Sequence, residues 1–282
     1  MNIPTATYRL QFNPEFGFQH AGRIGHYLVK ALREAKIHSS WTDINEEYET
    51  ALVSFVQKIL HPVRGIPFMN SFLPFFKKIA SYGIWNTLSQ TLIKITAPGV
   101  PDFYQGTELF DFHLVDPDNR RPVDFDIRKR YLSEISAAVS SDPLHMIREV
   151  MANRRDGRIK LFLIARALGT RSRHAALFQR GTYVPLAASG KYKDHVVAFA
   201  RTHESRCGIT VVPRFLTGMI TETQSPIGRR VWEDTEIIFP ESRASRWKNM
   251  FTQEILRAES SLKLADMLQH FPCALLIQED TQ

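Results

Sequence analysis

One run of residues, Ser71–Thr96, constrains the fold more than any other part of the chain. Its apolar side chains recur at helical spacing, at Ile79, Ile84, Leu88, Leu92 and Ile95. The run predicts a long helix that is buried on more than one side, with Pro74 in its first turn, where a missing N–H costs nothing. Pro98 and Gly99 then end the helix. Such a helix needs a sizeable core around it, and 282 residues, 44% of them hydrophobic, can supply one in about two domains.

The segments around this helix predict further helices and one early strand. A short strand is expected at residues 5–12, before Pro14 breaks it and Gly17 allows a turn. The other predicted helices are at about 20–37, 46–60, 128–140, 143–153 and 157–168. Asp43 or Asn45 is expected to cap the second of these helices, and Asp126 the third.

After about Thr170 the pattern changes to short β-branched or aromatic runs that Pro, Gly and Ser clusters separate. These runs are 195–200, 208–212, 230–232 and 235–239, followed by a short helix and an edge strand within 264–276. The spacing predicts an antiparallel β-domain. We therefore expect an α/β domain at residues 1–169 and an all-β domain at residues 170–282.

The run Ala97–Phe125 carries the densest set of chemically useful side chains. A strand-like piece, Val100–Tyr104, leads through a turn at Gly106 into a loop rich in acids, arginines and aromatics. These side chains include Asp102, Tyr104, Glu108, Phe110, Asp111, Phe112, Asp116, Asp118, Arg120, Arg121 and Asp124. Aromatic rings stack on sugars, carboxylates accept hydrogen bonds from hydroxyls, and an acid pair can cleave a glycosidic bond. The alternative is a polar surface loop with ordinary helix caps.

The run resembles the last barrel strand and following loop of the α-amylase superfamily of glycoside hydrolases. Two segments are similar, more narrowly, to the maltooligosyltrehalose synthase family, or (1→4)-α-D-glucan 1-α-D-glucosylmutases. They are Tyr-Gln-Gly-Thr-Glu-Leu at 104–109 and Asp-Pro-Asp-Asn-Arg-Arg-Pro-Val-Asp at 116–124. Segments 3–12, 27–41 and 73–96 resemble, in order, that family's opening strand, a late barrel segment and the helix before the last strand. The resemblance implies an incomplete (β/α)8 barrel, with the first strand and the last part retained, followed by a C-terminal antiparallel β-sandwich domain.

The resemblance also implies an internal truncation. Several hundred family residues are replaced by the short segment Asn13–His26, and the family's catalytic Asp, Glu and Asp have no counterpart in this sequence. The family's activity is an isomerase reaction of trehalose biosynthesis, in which the reducing-end α-1,4 bond of a maltooligosaccharide becomes α,α-1,1 by double displacement, without a cofactor. We expect this chain alone to be inactive. The alternatives are a non-catalytic maltooligosaccharide-binding or assembly remnant and a decayed gene product.

The resemblance supplies substrate-binding candidates but no catalytic residue. They are Tyr8, Gln11, Lys36, His38, Trp41, Tyr104, Asp116, Asp118, Asn119, Arg120 and Arg121. Structural alternatives stay open: Tyr8 and Trp41 can pack in a core, and His38 can be a structural hydrogen-bonding residue at a helix exit. Asp118 and Asn119 can bond their own backbone while the arginines pair with nearby acids, which we favour for the chain taken alone.

The net charge and the two cysteines limit the kinds of partner and compartment that we expect. The net charge is +7, and residues 120–180 hold fourteen Lys or Arg against six Asp or Glu. A basic stretch can bind nucleic acid, but no binding motif accompanies it, so we expect arginines on helix faces instead. Cys207 and Cys273 have no metal-type spacing and predict free thiols. We expect a cytoplasmic protein without signal peptide, membrane helix, metal or cofactor, whose partner is a maltooligosaccharide or α-1,4-glucan rather than nucleic acid or a membrane.

Overall fold

The structure is a computed structural model that describes residues 14–239 and 245–279. The predicted strand at 5–12, with the substrate candidates Tyr8 and Gln11, lies outside the described residues. The chain divides into two compact units: the first contains the described residues up to Ile79 and the segment Asp111–Val123, and the second contains Ala80–Phe110 and the described residues from Asp124 onward. These units do not follow the expected boundary at residue 170, which stays a prediction about domains.

Two helices, α1 (Pro14–Ala35) and α2 (Glu46–Ile59), form much of the first unit. Pro14 is the first residue of α1, a position that suits its fixed backbone angle and missing N–H. The turn predicted at Gly17 is therefore wrong, because that residue lies inside the helix. Asn45 caps α2, where its side-chain oxygen accepts a hydrogen bond from the backbone N–H of Tyr48 at 3.1 Å. This contact decides between the two predicted caps.

The long helix α3 (Ile66–Thr96) confirms the main prediction but begins before Ser71. Pro67 occupies its first turn, so the placement of Pro74 in that turn is wrong and Pro74 lies in the helix interior. The buried positions lie in the second half of the helix and include Ile84, Leu88, Leu92 and Ile95. Ile79, predicted to be buried, is 50% exposed because it belongs to the smaller unit, which offers little apolar surface.

Four further helices precede the sheets of the second unit: α4 (Phe125–Ser141), α5 (Pro143–Ala152), α6 (Arg158–Arg173) and α7 (Ala175–Arg180). Asp124 caps α4, accepting a hydrogen bond from the backbone N–H of Ile127 at 2.9 Å. The predicted cap, Asp126, instead lies in the first turn. The strand predicted at Val100–Tyr104 does not form: these residues pair with none of the described strands, and Pro101 has no N–H to donate to a ladder.

The second unit contains two antiparallel sheets, which confirms the predicted antiparallel character of this part of the chain. The strands are β1 (Thr182–Pro185), β2 (Ala187–Ser189), β3 (Val196–His203), β4 (Arg206–Pro213), β5 (Glu236–Ile238), β6 (Ser245–Asn249), β7 (Ile255–Ala258), β8 (Ser261–Lys263) and β9 (Ala274–Glu279). One sheet has the order β1-β3-β4-β9-β6-β7, and the other has the order β2-β5-β8.

Two predictions in this part are wrong. The run 230–232 lies in a short helix, α8 (Arg229–Trp232), whose Trp232 is fully buried. The last strand, β9, is not an edge strand but lies between β4 and β6. The edge prediction rested on Pro272, which cannot donate to a ladder, but β9 begins two residues later and so avoids that restriction. The predicted short helix is present as α9 (Leu264–Met267).

The six-stranded sheet buries both of its faces. Along β9, successive side chains point to opposite faces: Leu275 joins the cluster that includes Phe162 of α6 and Leu88 of α3, and Leu276 joins the cluster that includes Ile237 of the small sheet. The second unit is thus a mixed assembly of helices and antiparallel sheets, with the six-stranded sheet between helices on one side and the small sheet on the other.

Two further findings concern the predictions about the cysteines and about a membrane helix. Cys207 and Cys273 are free thiols, as predicted, and burial raises the pKa of the Cys207 thiol to about 11. No described helix has both the length and the apolar character that a membrane crossing requires.

Candidate functional site

The connection between α1 and α2 forms a groove of about 580 Å³ that contains two of the predicted substrate residues. It is lined by Lys36, Ile37, His38, Ser39, Ser40, Asp43, Ile44, Asn45 and Glu46. Lys36 follows the last residue of α1 with a φ of 57°, a left-handed conformation that turns the chain out of the helix. The ring of His38 stacks on that of Tyr48, with ring centroids 4.6 Å apart. The groove therefore presents hydroxyl, amide, carboxylate, ammonium and imidazole groups to solvent.

A part-buried ion pair is connected to this groove through Ser39. The Arg33 guanidinium donates two hydrogen bonds to the Glu49 carboxylate, at 2.8 and 2.7 Å, and the hydroxyl of Ser39 donates a third at 2.6 Å. The Ser39 oxygen in turn accepts the backbone N–H of Asn45 at 3.1 Å. The hydrogen bonds from Arg33 and Ser39 lower the pKa of Glu49 to about 2. The network fixes the groove wall and keeps this carboxylate ionised.

Trp41 lies on the surface rather than in a core. Its side chain is 55% exposed, and the guanidinium of Arg33 lies 5.1 Å from its ring centroid, a cation–π distance. Of the two interpretations left open by the sequence, core packing is thus excluded for Trp41. The exposed ring is available as an apolar surface close in sequence to the groove.

In the loop Asp111–Val123, Asp116 and Asp118 pair with arginines of the first unit, whereas Asp111 contacts the imidazole of His113. Asp118 accepts two hydrogen bonds from Arg23, at 3.0 and 2.6 Å, a third from the backbone N–H of Leu114 at 2.7 Å, and lies 3.0 Å from Arg121. These contacts, led by the hydrogen bond from Arg23, hold the pKa of Asp118 well below its usual range. They match the alternative in which arginines pair with the acids of this loop and the loop has a structural role.

The same loop is attached to α1 at a second point. Lys30 donates a hydrogen bond to the backbone carbonyl of Asp116 at 2.8 Å, while the Asp116 carboxylate pairs with Arg120. Sequence reasoning missed both Arg23 and Lys30. The signal that could have found them is their separation of seven residues, which places two cations on one face of α1.

The residues of the second unit near the predicted turn also have structural roles. Glu108 pairs with Arg128 at 3.0 Å, and Arg128 also donates a hydrogen bond to the Gly106 carbonyl at 2.7 Å. Gly106 has a φ of 90°, as a turn glycine needs. Tyr104 is 49% exposed. Arg128 thus closes the turn on Glu108.

The predicted site residues fall into three groups. Lys36 and His38 line the groove, with Trp41 close by in sequence; Asp116, Asp118, Asn119, Arg120 and Arg121 share the loop that α1 holds; and Tyr104 belongs to the second unit. Lys30, which holds the loop, lies in the last two turns of α1, and Lys36 follows the end of that helix. Within the described part of the chain, no group of three or more His, Cys, Asp or Glu side chains is arranged to hold a metal ion.

Comparisons with known proteins show which proteins this chain is related to. No family model matches the chain. In fold it is similar to part of the maltooligosyltrehalose synthase of Arthrobacter ramosus, with a TM-score of 0.71 and 27% identity, covering 92% of this chain and 30% of that one. A Sulfolobus tokodaii maltooligosyl trehalose synthase, described as hypothetical, gives a TM-score of 0.61 and 26% identity over 96% of this chain and 30% of that one.

The sequence match is with the same class of enzyme. The chain is 33% identical over 189 residues to the "Putative maltooligosyl trehalose synthase" of Mycobacterium tuberculosis, which is 67% of this chain and 21% of the relative. The chain belongs to the maltooligosyltrehalose synthase family. It spans about a fifth of the length of the curated relatives that it matches.

Proposed function

We propose that this chain binds maltooligosaccharides or α-1,4-glucan through the groove between α1 and α2 and does not by itself catalyse the mutase reaction of its family. The observation that carries the proposal is the position of Lys36 and His38 in one solvent-open groove, supported by the part-buried Arg33–Glu49 pair. Polar groups fixed in a groove can hydrogen-bond sugar hydroxyls, and the exposed ring of Trp41 can stack on a pyranose face.

The ionisation of Glu49 and Asp118 supports the second half of the proposal, the lack of catalysis. A general acid must hold a proton near neutral pH, so its pKa has to be raised. Glu49 and Asp118 have pKa values lowered by their arginine partners, so both stay ionised and hydrogen-bonded. The family's run that contains its third catalytic Asp does not occur in the sequence. We attribute the lost activity to an internal truncation within Asn13–His26, which leaves part of a barrel and a C-terminal β-sandwich.

Catalysis is tested with maltopentaose and the purified 282-residue chain. The mutase reaction removes the free reducing end, because both anomeric carbons enter the new α,α-1,1 bond. We expect the reducing-end signal to stay constant over hours, with no new anomeric resonance in the proton NMR spectrum. Formation of the α,α-1,1 product by this chain would overturn the proposed inactivity.

Binding is tested by native gel electrophoresis in soluble amylopectin. We expect the wild-type chain to be retarded and the double variant H38A/W41A to migrate with at least fivefold weaker retardation. The matched control is Tyr183→Ala, which removes another part-exposed ring, 43% exposed, from the second unit. Unchanged mobility of the wild type in amylopectin would contradict glucan binding, whatever the result with maltopentaose.

One observation favours a second candidate, a decayed gene product that folds incompletely. The rings of Phe68, Phe72 and Phe76 stack along α3 with centroids 5.3 and 5.8 Å apart, and Phe68 and Phe72 are 38% and 40% exposed. An apolar strip of this kind is normally covered. Cooperative thermal unfolding of the isolated chain would argue against this candidate. Sequencing the source DNA across Asn13–His26 tests the truncation itself.

A further inference from the structure

A second groove, unrelated to the one above, lies in the second unit between the end of α6 and strands β6 and β9. Its volume is about 620 Å³. The side chains that matter here are Arg173, His174, Arg246, Lys248 and Glu279. Arg246 and Lys248 are two residues apart on β6, so they lie on the same face of the strand.

The groove has an excess of positive charge. Its single carboxylate among the described lining residues, Glu279, stands opposite Arg246 in the sheet register, 3.4 Å from the Arg246 guanidinium. Neither Arg173 nor Lys248 forms an ion pair with any carboxylate of the described residues. The last turn of α6 would explain a cation at Arg173, since helix C-termini favour positive charge. It does not explain Lys248, the β6 cation that Glu279 does not pair with.

A histidine lies among these cations. The Nδ1 of His174 is buried and has no hydrogen-bond partner among the described residues. Burial, together with the charges of Arg206 and Arg173, lowers the pKa of His174, so the imidazole is neutral at pH 7. Arg166 lies nearby as well, with its guanidinium fixed on the carbonyl of Met250 at 3.0 and 2.6 Å.

Cations that line one groove repel one another unless an anion compensates them. A sugar hydroxyl carries no charge and cannot do this, whereas a phosphate group offers two negative charges and several acceptor oxygens to guanidinium and ammonium donors. We propose that this groove binds the phosphate group of a small phosphorylated ligand, held by Arg173, Arg246 and Lys248. This site is independent of the proposed glucan groove.

Titration of the full chain with inorganic phosphate at pH 7 and constant ionic strength tests the proposal, with glucose 1-phosphate as a second probe. We expect the double variant R246Q/K248Q to bind phosphate at least tenfold more weakly than the wild type. The matched control is the double variant K129Q/R130Q, which removes two exposed cations from α4 and should bind within twofold of the wild type. Tighter binding of glucose 1-phosphate identifies a phosphorylated sugar, and equal binding identifies the phosphate ion.

The proton NMR signal of His174 gives a readout that does not depend on a variant. Bound phosphate adds negative charge to a cluster that contains Arg166, Arg173, Arg206, Arg246, Lys248 and Glu279, so it should raise the pKa of His174. An unmoved titration at saturating phosphate, or an equal loss of binding in both double variants, would overturn the proposal. The first result places the anion elsewhere, and the second shows general attraction to a basic protein.

Discussion

Arg201 provides the sharpest test of how the second unit is held together. Its side chain is 2% exposed and lies on β3. One terminal nitrogen donates a hydrogen bond to the Thr96 carbonyl at 3.0 Å, and the other donates to the Phe178 and Gly181 carbonyls at 2.9 and 2.7 Å. The guanidinium thereby ties the ends of α3 and α7 to the sheet.

The magnitude follows from these contacts. Arg201→Met keeps much of the volume but leaves three buried carbonyls without their donor, at about 1.5 kcal/mol each. Removing a buried cation that has no carboxylate partner among the described residues gives back about 1–2 kcal/mol of that loss. The net expectation is a loss of about 3 kcal/mol in the free energy of unfolding, or a fall in Tm of roughly 6–12 °C.

The assay is thermal and urea unfolding followed by circular dichroism. Arg180→Met serves as the control, because Arg180 is exposed at the end of α7 and its loss should cost less than about 0.5 kcal/mol. If Arg201→Met proves as stable as the wild type or more stable, the cost of burying the cation exceeds the value of its three hydrogen bonds. Such a result would refute the stabilising role of Arg201.

Two further predictions concern the first unit. Arg23→Met leaves Asp118 without its bidentate partner and should lower the free energy of unfolding by about 1.5–3 kcal/mol in urea, whereas the exposed Arg64→Met should leave it unchanged; equal effects would contradict the role of the pair. The folded-state pKa of Glu49, about 2, lies below its unfolded value of about 4.3. Its contribution to stability is therefore complete above about pH 4.3 and is lost as the pH falls towards 2, so Glu49→Gln should weaken the acid dependence of unfolding in that window, and an unchanged dependence would rule out this assignment.

The elements that the sequence predicted well are those specified by local patterns. The helices at 46–60, 143–153 and 157–168 were recognisable from apolar periodicity, and for the first of them a predicted cap agreed with it. The predicted helix ends were wrong where two residues that could each act as a cap lie within a few residues of one another. Asp124 and Asp126 are both plausible caps, and only the position of the preceding loop decides between them.

Some elements and contacts were predicted wrongly or missed because they depend on partners that are distant in the sequence. Val100–Tyr104 has the pattern of a strand, but a strand also needs a neighbour to complete its hydrogen bonds, and none of the described strands pairs with this segment. In the loop Asp111–Val123, the sequence suggested that arginines would pair with acids. It did not indicate that the main partner of Asp118 is Arg23, ninety-five residues away. Long-range ion pairs leave little local trace.

The central position of β9 has a consequence for synthesis of the protein. About sixty residues separate β4 from β9, yet β9 is the strand that joins β4 to β6. Until that strand leaves the ribosome, β4 and β6 each present an unpaired edge, and such edges recruit strands from other chains. A stop codon anywhere between β6 and β9 should therefore yield an aggregating product rather than a smaller folded one. The order of emergence, more than the strength of any single contact, would limit the yield of this protein.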